Sequence, residues 1–130
     1  MPLESPASFA TAIRKIESDL GVRYPASAPQ LLSALSAIVG TPAQHGLFEH
    51  ACLLVTSAEV AAVQNEVGGR LIDAYLLPFL KVEGRWPEIY GYNLAGPLPN
   101  RIGVYRVHTI VYDWPSEDAF LKWIKTFSRS

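Results

Sequence analysis

Between Ala74 and Asp113 the chain lays down one strand-like segment after another, with only short turns between them. No other feature narrows the fold as much. Parallel neighbours need a crossover of a dozen or more residues, whereas antiparallel neighbours can be joined by a tight turn. The spacing therefore predicts an antiparallel sheet. Ala74 to Val82 (AYLLPFLKV) is apolar nearly throughout, as in a strand covered on both faces, but Pro78 inside it argues for an edge position or a bulge. Glu83-Gly84 reads as a turn, and Pro87 to Leu94 (PEIYGYNL) as the returning strand of a hairpin. Gly96 to Asn100 is a second turn. Ile102 to Asp113 alternates, with Tyr105, Val107 and Val111 facing one way and Arg106 and His108 the other. Its length suits one bent strand or two.

Helical periodicity brackets this region. A first helix is predicted from Ser5, with Pro6 in the first turn, to a stop at Gly21; Phe9, Ile13, Ile16 and Leu20 share its apolar face. Ser27 and Gln30 have capping-box spacing ahead of a second helix through Leu31, Leu32, Leu35, Ile38 and Val39, halted by Gly40. Leu47 to Val55 suits a short strand. Thr56 and Glu59 repeat the capping-box pattern ahead of a third helix with Val60, Val63 and Val67 inward, ending at Gly68-Gly69. The last helix starts after Ser116, with Glu117 and Asp118 at its positive end and Lys122, Lys125 and Arg129 towards its negative end. Phe120, Ile124 and Phe127 form its apolar face. The expected fold class is α+β: N-terminal helices, a central antiparallel sheet of about four to six strands, and a C-terminal helix packed on the sheet, within one domain spanning residues 1–130.

Composition excludes several function classes. The 130 residues are 49% hydrophobic and 18% charged, with a formal net charge of -1. That supplies a core and leaves no basic footprint for nucleic acid, so no nucleic-acid partner is expected. The longest strongly apolar stretch, Ala74 to Leu80, is too short for a bilayer. MPLESPASFA lacks the basic and apolar regions of a signal peptide. A soluble, cytoplasmic protein without a membrane partner is the expectation; the oligomeric state is left open.

Catalytic and metal chemistry find little support. His45 and His50 lie five apart, where helical ligands stand three or four apart and strand ligands two apart. Cys52 is the single cysteine, and its apolar setting (ACLLV) suggests a buried small hydrophobe. Gly68-Gly69-Arg70 follows a helix instead of preceding one, the wrong side for a phosphate loop. Asp113, Glu117 and Asp118 are explained by the helix start. No catalytic residue, metal or cofactor is expected.

The aromatic residues are more informative. Tyr75, Trp86, Tyr90, Tyr92, Tyr105, Tyr112 and Trp114 all fall in the strand-rich half. Tyr, Trp and Arg concentrate binding energy at protein interfaces. Arg85, Trp86, Tyr90, Tyr92 and Arg106 are therefore candidate partner contacts, with His108 beside Arg106 and with Glu83, Glu88 and Asp113 as polar support.

Several local patterns resemble the SUKH superfamily, which includes bacterial immunity proteins against polymorphic toxins and a fungal regulator of cell-wall synthesis. Leu20-Gly21, Tyr24-Pro25 and the helical stretch to Gly40 match its early signature. Leu77-Pro78-Phe79-Leu80, Glu83-Gly84 and Ile89-Tyr90-Gly91-Tyr92 match its middle, and Ser116 to Phe127 its close. Two positions depart from it: Arg85 stands where an acidic residue often follows the turn glycine, and Tyr24 replaces a Leu. The resemblance implies an immunity protein that binds and neutralises a cognate protein toxin; basic nucleases are common among such toxins. It brings no shared catalytic residue. Three other functions compete: a non-catalytic regulatory or scaffolding domain for a host protein, a small enzyme using His108 with Asp113 or Glu88, and a small-ligand carrier suggested by the aromatic sheet.

Overall fold

The structure is a computed structural model, and it describes residues 6–37, 51–66, 76–83, 87–94, 100–106 and 109–127. The fold is α+β. In chain order it runs α1 (Pro6–Leu20), α2 (Ala28–Ser36), β1 (Ala51–Leu53), α3 (Ser57–Glu66), β2 (Leu76–Val82), β3 (Glu88–Asn93), β4 (Ile102–Arg106), β5 (Thr109–Trp114) and α4 (Glu117–Phe127). The strands form one antiparallel sheet in the order β1-β2-β3-β4-β5. The stretch 102–113 is two strands, as its length permits.

Phe9, Ile13 and Ile16 of α1 and Leu31, Leu32 and Leu35 of α2 are buried where the two helices pack together. Tyr24, in the link between them, donates its hydroxyl to the Pro78 carbonyl at 3.2 Å and so fastens this pair to β2. The third helix carries the expected capping box. The Glu59 amide donates to Thr56 Oγ1, and the Thr56 and Val55 amides donate to Glu59 Oε1. Ser57 Oγ donates to Asp19 Oδ2 at 2.6 Å, tying this helix to the end of α1. The second capping box is not made. Ser27 Oγ caps no α2 amide and donates instead to Glu117 Oε1 at 2.7 Å. Ser27 has helical backbone angles, φ -84° and ψ -2°, in place of the extended ones a capping residue normally adopts, so its hydroxyl is not aimed at the first-turn amides.

β2 lies between β1 and β3, so Pro78 is at a bulge and not on an edge strand. The ladder with β1 ends at Leu53↔Leu80, so at Pro78 β1 no longer flanks β2. The bulge places Phe79 as the extra residue, fully buried against Tyr92 and Phe120 at ring separations of 5.3 Å and 5.9 Å. Opposite it, Gly91 is required by close approach: a Cβ there would lie 2.4 Å from the Leu77 carbonyl oxygen.

A second bulge falls between Val104 and Tyr105, where Val111 is the unmatched residue of β5. It breaks the alternation expected of 102–113. Tyr105 is 3% exposed, while Val111 is 44% exposed, on the outer strand. α4 opens with the Ala119 amide donating to Ser116 Oγ at 3.1 Å, as the sequence predicts, and buries Phe120 and Ile124. Among the described residues no helix is long and apolar enough to cross a membrane. The expected stops at Gly40 and Gly68-Gly69, and the start of the strand before Ala51, lie outside the described residues.

Candidate functional site

The register brings charged and aromatic side chains to one corner of the sheet. Tyr90 stands opposite Val104, and Tyr112 opposite Val104 from the other side; directly opposed residues share a face. One step along the β3–β4 ladder from Ile89↔Tyr105 sets Glu88 against Arg106. α4 closes this face with Phe120 and Trp123. The rings form a continuous chain: Tyr90 stacks on Trp114 at 6.0 Å, Trp114 meets Trp123 at 4.8 Å, and Tyr112 meets Trp114 edge-on at 5.0 Å. The chain begins in the core, where Tyr90 is 2% exposed, and surfaces at Tyr112, 61% exposed.

Above these rings lies an open groove of about 440 Å³, lined by Glu88, Arg106, Val111, Tyr112 and Trp123 with buried Tyr90 and Trp114 at its base. Glu88 accepts the Tyr90 hydroxyl on Oε1 at 3.0 Å and Arg106 Nη1 on Oε2 at 3.3 Å. Burial, reinforced by the charge of Glu88 and its hydrogen bond, pushes the Tyr90 pKa well above the ordinary tyrosine value. Its hydroxyl therefore remains a donor, and the described lining of the groove presents one carboxylate, one guanidinium and exposed aromatic surface. That set can bind; among the described residues it holds no nucleophile paired with a base.

Glu88, Tyr90 and Arg106 thus meet as predicted partner-contact candidates, but Tyr90 serves as the base of the groove and not as an exposed anchor. Tyr92 is a correction. It is 1% exposed because β3 is the middle strand and is covered on this face by Phe79 and Tyr24. Its hydroxyl donates to Glu117 Oε2, which joins it to Ser27 and, through Ser27 Oγ, to Asn100 Nδ2 at 3.3 Å. Asn100 holds a positive φ of 64°, a conformation Asn tolerates. The acid at the start of α4 is therefore a junction between sheet and helices as well as a partner for the helix dipole.

The other acids lie apart from the groove. Asp113 is opposite Gly103, on the sheet's other face, and pairs with Arg101. Glu83 pairs with Lys81 at 2.9 Å, and Lys81 also meets Glu66 at 2.8 Å. Burial works to lower the Lys81 pKa, but the hydrogen bonds and charges of Glu66 and Glu83 outweigh it and the pKa is raised. Cys52, expected to be buried, is exposed because β1 is an edge strand. Partial burial, with Glu59 and Glu83, raises its thiol pKa against the pull of Lys81, the reverse of what an activated thiolate requires. Arg85, Trp86 and His108, with Tyr75, His45, His50 and Gly68-Gly69-Arg70, lie outside the described residues. Among those described, no three His, Cys, Asp or Glu side chains gather as metal ligands.

Sequence reasoning missed Val111 and Trp123 and did not single out Tyr112 from the aromatic set. Part of the signal for Tyr112 was available: it lies in the last of a run of consecutive strands, where an edge strand is expected, but Trp114 in the same strand is buried under α4, and the sequence does not separate the two. The bulge that exposes Val111 leaves no mark in the sequence. No protein-family profile, curated protein or solved structure matches this chain.

Proposed function

We propose that this chain is an immunity protein, which binds a cognate bacterial toxin in the cytoplasm of the producing cell and neutralises it without catalysis of its own. The observation that carries the reading is the groove at the β3–β4–β5 corner, where Tyr112 and Val111 are 61% and 44% exposed beside the Glu88–Arg106 pair. Leaving a tyrosine ring in water forfeits burial free energy that a partner would recover. Fixed on a sheet and backed by Trp114, that ring loses little freedom on binding, which favours affinity. The sequence patterns resembling immunity proteins supply the partner class. With a net charge of -1, the chain attracts a basic toxin only weakly at long range, so the contact itself must supply the affinity.

The test is co-expression with the toxin encoded beside it. The reading predicts survival of the cells and a one-to-one complex on copurification. Full lethality with no complex removes it.

A further inference from the structure

We infer that the groove receives a cationic side chain of the partner, an arginine, laid against the Tyr112 ring and paired with Glu88. This rests on the binding role proposed above and names the chemistry of the contact. The exposed face of Tyr112 carries negative π density, which attracts cations and repels anions. Among the described lining residues Glu88 is the one carboxylate and Arg106 the one cation. The Glu88 side chain is 22% exposed and receives, from the described residues, one donor on each oxygen, while a carboxylate offers about four acceptor sites. Arg106 makes a single 3.3 Å contact to it and is 47% exposed, a loose pair of the kind that adds little stability. A second guanidinium can therefore share or take the carboxylate.

Other occupants fit less well. An acidic side chain would meet Arg106 but also Glu88 and the ring face. A purely apolar anchor would desolvate Glu88 without replacing its contacts with water. Arginine is favoured over lysine because its plane stacks on an aromatic ring while its edge forks to a carboxylate. Arg106 then acts as an internal competitor for Glu88, a consequence that separates this arrangement from one in which Arg106 itself grips the partner.

The experiment is a titration of the full chain, followed by backbone amide resonances, with acetyl-Gly-Arg-Gly-amide and with the same peptide carrying uncharged citrulline. The arginine peptide should shift the Glu88, Val111 and Tyr112 amides and bind at least about threefold more tightly than the citrulline peptide. Glu88→Gln should abolish that preference, and Arg106→Ala should strengthen arginine binding; circular dichroism confirms that both variants remain folded. Equal response to the two peptides overturns the inference, as does an Arg106→Ala loss matching that of Glu88→Gln. Arginine preference in a protein that fails to protect against the toxin upholds the inference and removes the immunity reading. Protection without arginine preference does the opposite.

Discussion

Tyr92 and Tyr105 lie in adjacent strands, and their hydroxyls meet opposite fates. Tyr92 donates a hydrogen bond to the Glu117 carboxylate, whereas the buried Tyr105 oxygen has no hydrogen-bond partner among the described residues. Tyr92→Phe should leave Glu117 half-buried with one donor fewer and cost about 1.5–3 kcal/mol in urea unfolding. Tyr105→Phe removes a polar atom that gains nothing, and should be neutral or stabilising by about 1 kcal/mol. Alkaline pH offers a second check. Burial raises the pKa values of Tyr24, Tyr90 and Tyr92 above the ordinary value, with nearby carboxylates adding to the effect. The unfolded chain releases these protons near pH 10 and the folded chain holds them, so the unfolded state binds fewer protons there. Their contribution is complete below about pH 10 and is lost as pH rises beyond it, by up to about 1.4 kcal/mol per pH unit for each tyrosine. Urea midpoints measured from pH 8 to pH 11 should therefore fall at the alkaline end, and less steeply in Tyr92→Phe.

The elements differ in how openly the sequence declares them. The Thr56–Glu59 box is local chemistry and forms as its spacing predicts; Thr56→Ala should cost about 1 kcal/mol. Ser27–Gln30 has the same spacing, yet Ser27 turns to Glu117, ninety positions away along the chain. Such a partner is set by tertiary packing and leaves no periodic trace. The hairpin of β2 and β3 is legible from its turn, and Pro78 announces an irregularity, but only the register identifies it as a bulge in an interior strand. The same bulge makes Gly91 irreplaceable. Gly91→Ala must part β2 from β3 by displacing backbone, and should destabilise by more than about 2 kcal/mol, measured by thermal and urea unfolding. The bulge at Val111 deforms β5, the outer strand, a device that also discourages unwanted strand pairing.

At the scale of the whole molecule, the consecutive strands and the helical spacing made the α+β fold legible, while the site was legible only in part. Residue type pointed to tyrosines in the second half, but the choice between core and surface depends on strand order and on what α4 covers: β3 is central, so its tyrosines sink, while on the outer strand β5 the helix buries Trp114 and leaves Tyr112 in water. The function proposed here therefore depends on the ring the fold leaves in water and not on those it buries. The most direct measurement compares wild type with Tyr112→Ala for stability and for toxin neutralisation in one set of cells. Truncating a ring 61% exposed, whose packing is its edge-on contact with Trp114, should cost about 1 kcal/mol of unfolding free energy, while toxin binding weakens by about 2 kcal/mol or more and protection is lost. A stable Tyr112→Ala protein that binds and protects as well as wild type would contradict the account.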